Sequence, residues 1–180
     1  RPFDVKLAPK EITEDLCGKY RPGHFLAVID IVHRFFQIVK PKNILLGRKD
    51  YQQIIAISEL IKIYNYNIDI ISSDTVRNKN GLALSSRNNL LSKEEMKTAN
   101  EIYRSLLLSK QLYNNNVSLN EIIAKIYKVF EKSEIKLEYF SIRDLKTLQH
   151  RNDSDLIALI AVYLGDIRLI DNIIIKSRAV

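Results

Sequence analysis

Apolar and polar positions fall into two textures along the chain, and the change comes near residue 76. Before it, helix-like and short strand-like segments follow one another. HFLAVIDIVHRFFQIVK, residues 24–40, is apolar nearly all round and predicts a buried helix that Pro41 stops. NILLG, 43–47, predicts a short buried strand ending in glycine. DYQQIIAISELIKIYN, from Asp50, predicts a second helix, and NIDIISSDTV, 67–76, a second strand. Connections this short imply two parallel strands joined by a right-handed crossover, the unit of a doubly wound sheet. Beyond residue 90, Ser92-Lys-Glu-Glu95 and Ser118-Leu-Asn-Glu121 have the spacing of capping boxes and predict helices near 93–112 and 119–132. LEYFSI, DLIALIAVYL and IRLIDNIII read as strands, the last two joined by a turn at Gly165-Asp166. The expected fold class is α/β: part of a parallel sheet in residues 1–76, then a smaller α+β domain with an antiparallel sheet in residues 77–180.

In an open parallel sheet, ligands bind beyond the carboxyl ends of the strands. That rule directs attention to residues 47–53 and 73–77. In LLGRKDYQQ, Gly47 lets a ligand approach the backbone, Lys49 supplies a mobile cation, and Asp50 sits where a helix begins. The stretch reads either as a nucleotide edge or as an ordinary helix start capped by Asp50. In LSSRNN, the hydroxyls of Ser85 and Ser86 and the amides of a tight turn can form a concave donor set, to which Arg87 adds a charged fork. That stretch reads either as a phosphate site or as a polar loop before the helix capped by Ser92. Phosphate transfer needs donors already in place where charge develops on oxygen. In RPGHF, 21–25, His24 follows a Pro-Gly turn and reads as a catalytic acid, a substrate contact or a helix-start residue. His33 and His150 read as structural or exposed, and Cys17 as a small packed residue.

Composition narrows the classes. With 180 residues and 46% apolar content the chain can bury a core, as one ordinary domain or two small ones. Its longest apolar run, LIALIAVYL at 156–164, is too short to cross a bilayer, so no transmembrane segment is expected. RPFDVKLAPK lacks a starting Met and the apolar core of a secretory signal, so the chain reads as a fragment with nothing directing export. A lone cysteine excludes an internal disulfide and fits a reducing cytoplasm. The histidines fall at no metal-ligand spacing, and no metal held by side chains alone is expected. The net charge of +7 suits nucleic acid, an anionic surface or a small polyanion such as a nucleotide. Basic residues are interleaved with acidic ones, as on solvated faces, and no basic surface interleaved with aromatics stands out for stacking bases. A basic RNA-binding module is therefore the weaker reading.

RPGHF, LLGRKDYQQ, DTVRNKNGLALSSRN and YLGDIRLIDNI, in this order and spacing over residues 15–175, resemble the pantothenate synthetase (pantoate-beta-alanine ligase) family. The resemblance implies a partial Rossmann-like nucleotide-binding domain, a small α+β lid domain, and membership of the HIGH-motif nucleotidyltransferases. It implies an ATP-dependent ligase that forms pantoyl adenylate and pyrophosphate from pantoate and Mg-ATP, then pantothenate and AMP with beta-alanine. It implies ATP contacts at Gly47, Arg48, Lys49, Asp50, Val76, Leu84, Ser85, Ser86 and Arg87. Lys49, Ser85, Ser86 and Arg87 would serve the phosphates, Asp50 the ribose, the Val76 backbone the adenine, and Gln53 pantoate. The 84–87 loop is similar to the KMSKS loop of class I aminoacyl-tRNA synthetases. ATP and Mg2+ are the implied cofactors, and a homodimer through the nucleotide-binding domain the implied assembly, with no nucleic-acid or membrane partner. Two departures stand out: Arg48 where the family usually has Glu, and Asp74 where proline is usual. The family's amino-terminal His-x-Gly-His motif, and the Asn and Gln that grip pantoate and beta-alanine, have no counterpart in the chain. The chain alone is therefore expected to be a poor catalyst. A remnant that keeps only the fold and the dimer surface is the alternative.

Overall fold

The computed structural model describes residues 9–151 and 155–176. Two compact units divide between Asp74 and Thr75.

The first unit begins with two short helices, α1 (Lys10–Thr13) and α2 (Cys17–Tyr20), followed by α3 (His24–Val39). Gly23, at φ 78°, lets the chain turn into α3, and Lys40, in the left-handed region, closes it just before Pro41. α3 is not the fully buried helix its composition predicts. Phe25, Ile29, His33 and Phe36 are buried against α1 and α4 (Tyr51–Ile63), while Ile31, Phe35, Ile38 and Val39 are exposed, Ile38 at 81%. Neighbours cover one stripe of about a third of the circumference, so the apolar residues outside it face outward.

β1 (Asn43–Gly47) and β2 (Asp69–Ser73) pair in parallel, with Gly47 opposite Ser73, and α4 lies between them in the chain. β2 is shorter than the expected 67–76. β1 is not a buried strand either: Ile44, Leu46 and Ile70 are half-buried, while the paired Leu45 and Ile71 are exposed, Leu45 at 72%. A strand's side chains alternate between faces, and two strands leave one face uncovered. The buried α4 face, Ile54, Ile55, Ala56, Ile57 and Leu60, supplies most of this unit's core.

In the second unit, β3 (Lys136–Asp144), β4 (Leu156–Leu164) and β5 (Ile167–Lys176) form an antiparallel sheet with β4 in the centre. Burial on both faces explains why β4 is an unbroken apolar run without alternation. The helices are α5 (Lys93–Thr98), α6 (Asn100–Asn114) and α7 (Leu119–Phe130), of which α6 and α7 pack on the sheet. Ile102, Leu106, Ile122, Ile126 and Phe130 meet Phe140, Ile142, Ala158, Ile160 and Val162 in one core. Both capping boxes form: Ser92 and Ser118 accept from the amides of Glu95 and Glu121, whose carboxylates return to the cap amides. The helix expected over 93–112 is divided at Ala99, where Ile102 N donates three residues back and tightens the turn. Among the described residues no helix is long and apolar enough to cross a membrane.

Candidate functional site

The first unit carries one of the two loops singled out in the sequence. Gly47 ends β1, and Arg48–Asp50 form a single 3-10 turn that leads into α4. At φ −75° Gly47 needs no left-handed freedom, and a Cβ there would meet no atom within 4 Å. Lys49 Nζ lies 3.7 Å from Asp50 Oδ1. Asp50 occupies the cap position of α4, but its side chain makes no capping bond, so the helix-cap reading of this residue is corrected. The carboxylate turns to the neighbouring ammonium instead. Arg48 Nη1 lies 2.7 Å from Asp74 Oδ1, across the carboxyl ends of the two strands. The two residues that the resemblance marks as departures, Arg48 and Asp74, are thus paired with each other. Gln53 is half-buried in the first turn of α4.

Sequence reasoning missed the residue before it. Gln52 is buried, takes a hydrogen bond from Cys17 N at 3.0 Å, and donates to Ile12 O at 2.9 Å and Asp15 O at 3.0 Å. One amide therefore ties the 12–17 segment to the start of α4. The signal was a polar residue within the apolar face of α4, which is worth reading as a buried hydrogen-bond hub. His33, also buried, lies with Nδ1 3.1 Å from the Tyr66 hydroxyl and Nε2 3.1 Å from Gln37 Nε2, its ring against Tyr64. Burial pushes its pKa below the ordinary histidine value. His24 is the first residue of α3, with its ring 5.0 Å from that of Phe25. A depression of about 510 Å³ lined by Phe36, Lys40, Pro41 and Tyr66 sits at the amino ends of the strands, away from Gly47.

The second unit carries the other loop. Val76 and Leu84, both exposed, flank a tight hairpin in which Leu84 N donates to Val76 O at 2.9 Å and Arg77 bridges Ala83. Ser85 precedes a 3-10 turn over Ser86–Leu90, and its hydroxyl accepts from Arg87 N at 3.2 Å. Ser85 is thus a cap as well as a candidate ligand. Ser86 and Arg87 are exposed, and Arg87 Nη1 donates to Arg168 O at 3.0 Å. Asn88 is buried beneath them and donates to Ala83 O at 3.0 Å. Arg168 itself is held by Glu138, which stands at the β-bulge between Leu137 and Tyr139. Bulges near functional sites commonly re-aim one side chain in this way. Arg77, unassigned in the sequence, pairs with the buried Asp171.

Of the predicted site residues, the fold gathers Gly47, Arg48, Lys49, Asp50 and Gln53 in the first unit, and Val76, Leu84, Ser85, Ser86 and Arg87 in the second. Among the described residues no group of three or more His, Cys, Asp or Glu side chains is placed to hold a metal.

Residues 2–174 match the family model described as pantoate-beta-alanine ligase. The chain is 40% identical to a pantothenate synthetase of Coprothermobacter proteolyticus over 97% of its own length and 63% of the relative's. It is 39% identical to that of Acinetobacter baylyi, again covering 97% of the chain and 63% of the relative. Among solved structures, pantothenate synthetase from Thermus thermophilus superposes with a TM-score of 0.90 at 30% identity, covering 98% of this chain and 64% of that one. The pantoate-beta-alanine ligase of Francisella tularensis complexed with beta-gamma ATP and beta-alanine matches with a TM-score of 0.71 at 35% identity, covering 99% and 59%. The chain thus spans a little under two thirds of the length of these proteins. By sequence and by fold, the chain belongs to the pantoate-beta-alanine ligase family.

Proposed function

We propose that this chain is the ATP-binding and pantoate-binding portion of an enzyme that joins pantoate to beta-alanine. In this reading the pantoate carboxylate attacks the α-phosphorus of ATP and pyrophosphate leaves. The amine of beta-alanine then attacks the acyl carbon of pantoyl adenylate, releasing AMP and pantothenate. Lys49 in the first unit, and Ser85, Ser86 and Arg87 in the second, serve ATP phosphates. Asp50 receives the ribose, the Val76 backbone the adenine, and Gln53 pantoate, with Gly47, Arg48 and Leu84 beside them.

The observation that carries the reading is the Ser85-Ser86-Arg87 turn, in which Ser86 and Arg87 are exposed. It offers hydroxyls and a guanidinium on a backbone already fixed by hydrogen bonds. Donors held in advance of the reaction stabilise developing charge without reorganising, and losing one typically costs about 3–4 kcal/mol of barrier. At Gly47 a Cβ would meet nothing within the protein, so the benefit of glycine lies in approach from outside. Asp50 and Asp74 are each engaged by a cation of the chain. A Mg2+ ion would therefore ride on the nucleotide phosphates, where it would neutralise charge. We place the reaction in the cytoplasm, and the sole cysteine, buried Cys17, requires no oxidising compartment. The exposed stripe Ile31, Phe35, Ile38 and Val39 on α3 supports self-association through the first unit.

The test is calorimetric binding of ATP to the chain, together with AMP release in the presence of pantoate and beta-alanine. The reading expects ATP binding that Arg87→Ala abolishes, with little or no turnover by the chain alone. Full turnover would overturn the expectation that the missing histidines are needed. RNA binding that weakens steeply with salt, without ATP binding, would replace the ligase reading.

A further inference from the structure

We propose that Arg77 is a positioning residue, which locks the loop bearing Ser85, Ser86 and Arg87 onto β5, so that this loop moves only together with the sheet of the second unit. The proposal rests on the reading of Ser85, Ser86 and Arg87 as phosphate ligands.

Arg77 is one of two arginines in DTVRNKNGLALSSRN, and by charge alone either could meet a phosphate. The geometry separates them. Arg77 Nη1 donates to Asp171 Oδ2 at 2.5 Å and to Gly81 O at 3.0 Å. Its Nη2 donates to Asp171 Oδ1 at 2.9 Å and to Asn172 O at 3.3 Å. A guanidinium has two protons on each terminal nitrogen, so all four are taken within the protein. One face of the plane is covered too, since Cζ lies 4.0 Å from the centre of the Tyr103 ring on α6. Asp171 is buried to 2% side-chain exposure. Arg77 has no donor pair left for a ligand, whereas Arg87 is exposed and holds one carbonyl.

What Arg77 grips is the loop itself. Its own backbone bridges Ala83, and Gly81 O, at the tip of the hairpin, is one of its acceptors. Gly81 stands at φ 94° against the Tyr103 ring, where a Cβ would overlap the ring. Asn78 Oδ1 accepts from the amides of Asn80 and Leu82, which closes the turn from inside. At the far end, Arg87 is tied to the carbonyl of Arg168 and Asn88 to that of Ala83. Both ends therefore anchor on β5, at 171–172 and at 168. A loop clamped by a buried bidentate ion pair at one end and a main-chain contact at the other keeps its donors in fixed register with the sheet.

The test uses the full 180-residue chain with ATP as probe. Arg77→Lys keeps the charge but cannot bridge both Asp171 oxygens or stack as a plane. Asp171→Asn keeps the shape without the charge, and serves if the first variant fails to fold. Both should speed amide exchange in residues 78–90 at least tenfold and weaken ATP binding at least tenfold, with β4 exchange unchanged. Arg87→Ala should weaken ATP binding and, by freeing only the anchor at Arg168, speed exchange in residues 84–90 while leaving residues 78–82 within twofold. Loop exchange at the parent rate in both Arg77 and Asp171 variants would overturn the clamp. A lowered melting temperature with unchanged ATP affinity, measured where the variant is folded, would reduce Arg77 to a structural role and overturn positioning. A parent chain that binds no ATP would overturn the ligand reading of Ser85, Ser86 and Arg87, while the exchange rates would still decide the clamp.

Discussion

Replacing Gln52 by Leu removes one side chain that satisfies three backbone groups of the 12–17 segment. Cys17 N would lose this acceptor and Ile12 O this donor, while Asp15 O keeps the amides of Gly18 and Lys19. A buried polar group left without a partner costs about 1–3 kcal/mol. Asp15 O remains hydrogen-bonded, which leaves Ile12 O and Cys17 N to bear most of the penalty. Leu buries more apolar surface than Gln and returns roughly 1 kcal/mol. Two such groups cost about 2–6 kcal/mol, so the net loss is about 1–5 kcal/mol, a rise of at least roughly fivefold in opening of this region at about 1.4 kcal/mol per tenfold. Native-state hydrogen exchange read on the α4 amides 54–60 measures that opening in the first unit alone. A rise under threefold would refute the assignment of Gln52 as the hub that fixes the start of α4.

Gly81→Ala should lower the second unit's stability by at least about 2 kcal/mol, because φ 94° strains any other residue and the added methyl meets the Tyr103 ring; a thermal melt checks it, and an unchanged midpoint would contradict the packing. Burial holds the His33 pKa below its ordinary value, so the unfolded chain takes up a proton that the folded one refuses. The stabilisation is complete above the ordinary pKa of about 6.5 and is lost as pH falls below it. Denaturant midpoints at pH 7.5 and 5.5 should differ for the parent and much less for His33→Gln. Asp74→Ala should change stability by less than about 0.5 kcal/mol, because the side chain is 84% exposed and such pairs are screened; a larger loss would mean that the Arg48 pair braces the strand ends.

Local chemistry was the legible part of the fold. Both serine capping boxes and the three strands of the second unit could be read because their signals lie within a few residues. Burial was less legible where it depends on how many neighbours an element has. Ile38 and Leu45 belong to strongly apolar segments, yet the first unit leaves them outside, since an α3 stripe and one face of a two-stranded sheet lack cover. In the candidate site, motif spacing picked out Lys49, Asp50 and the Ser85–Arg87 turn as chemically apt. It could not identify Arg77 as a clamp, because its partner Asp171 is 94 residues away. The Arg48–Asp74 pair was likewise invisible as a pair, since it depends on the parallel register that sets Gly47 opposite Ser73.

The account depends most on the proposal that the Ser85–Arg87 turn is a phosphate site. Hydrogen exchange across an ATP titration tests this directly. Residues 84–90 should gain protection as ATP rises and lose it in Arg87→Ala at the same ATP concentration. Unchanged exchange of residues 84–90 at saturating ATP would contradict it.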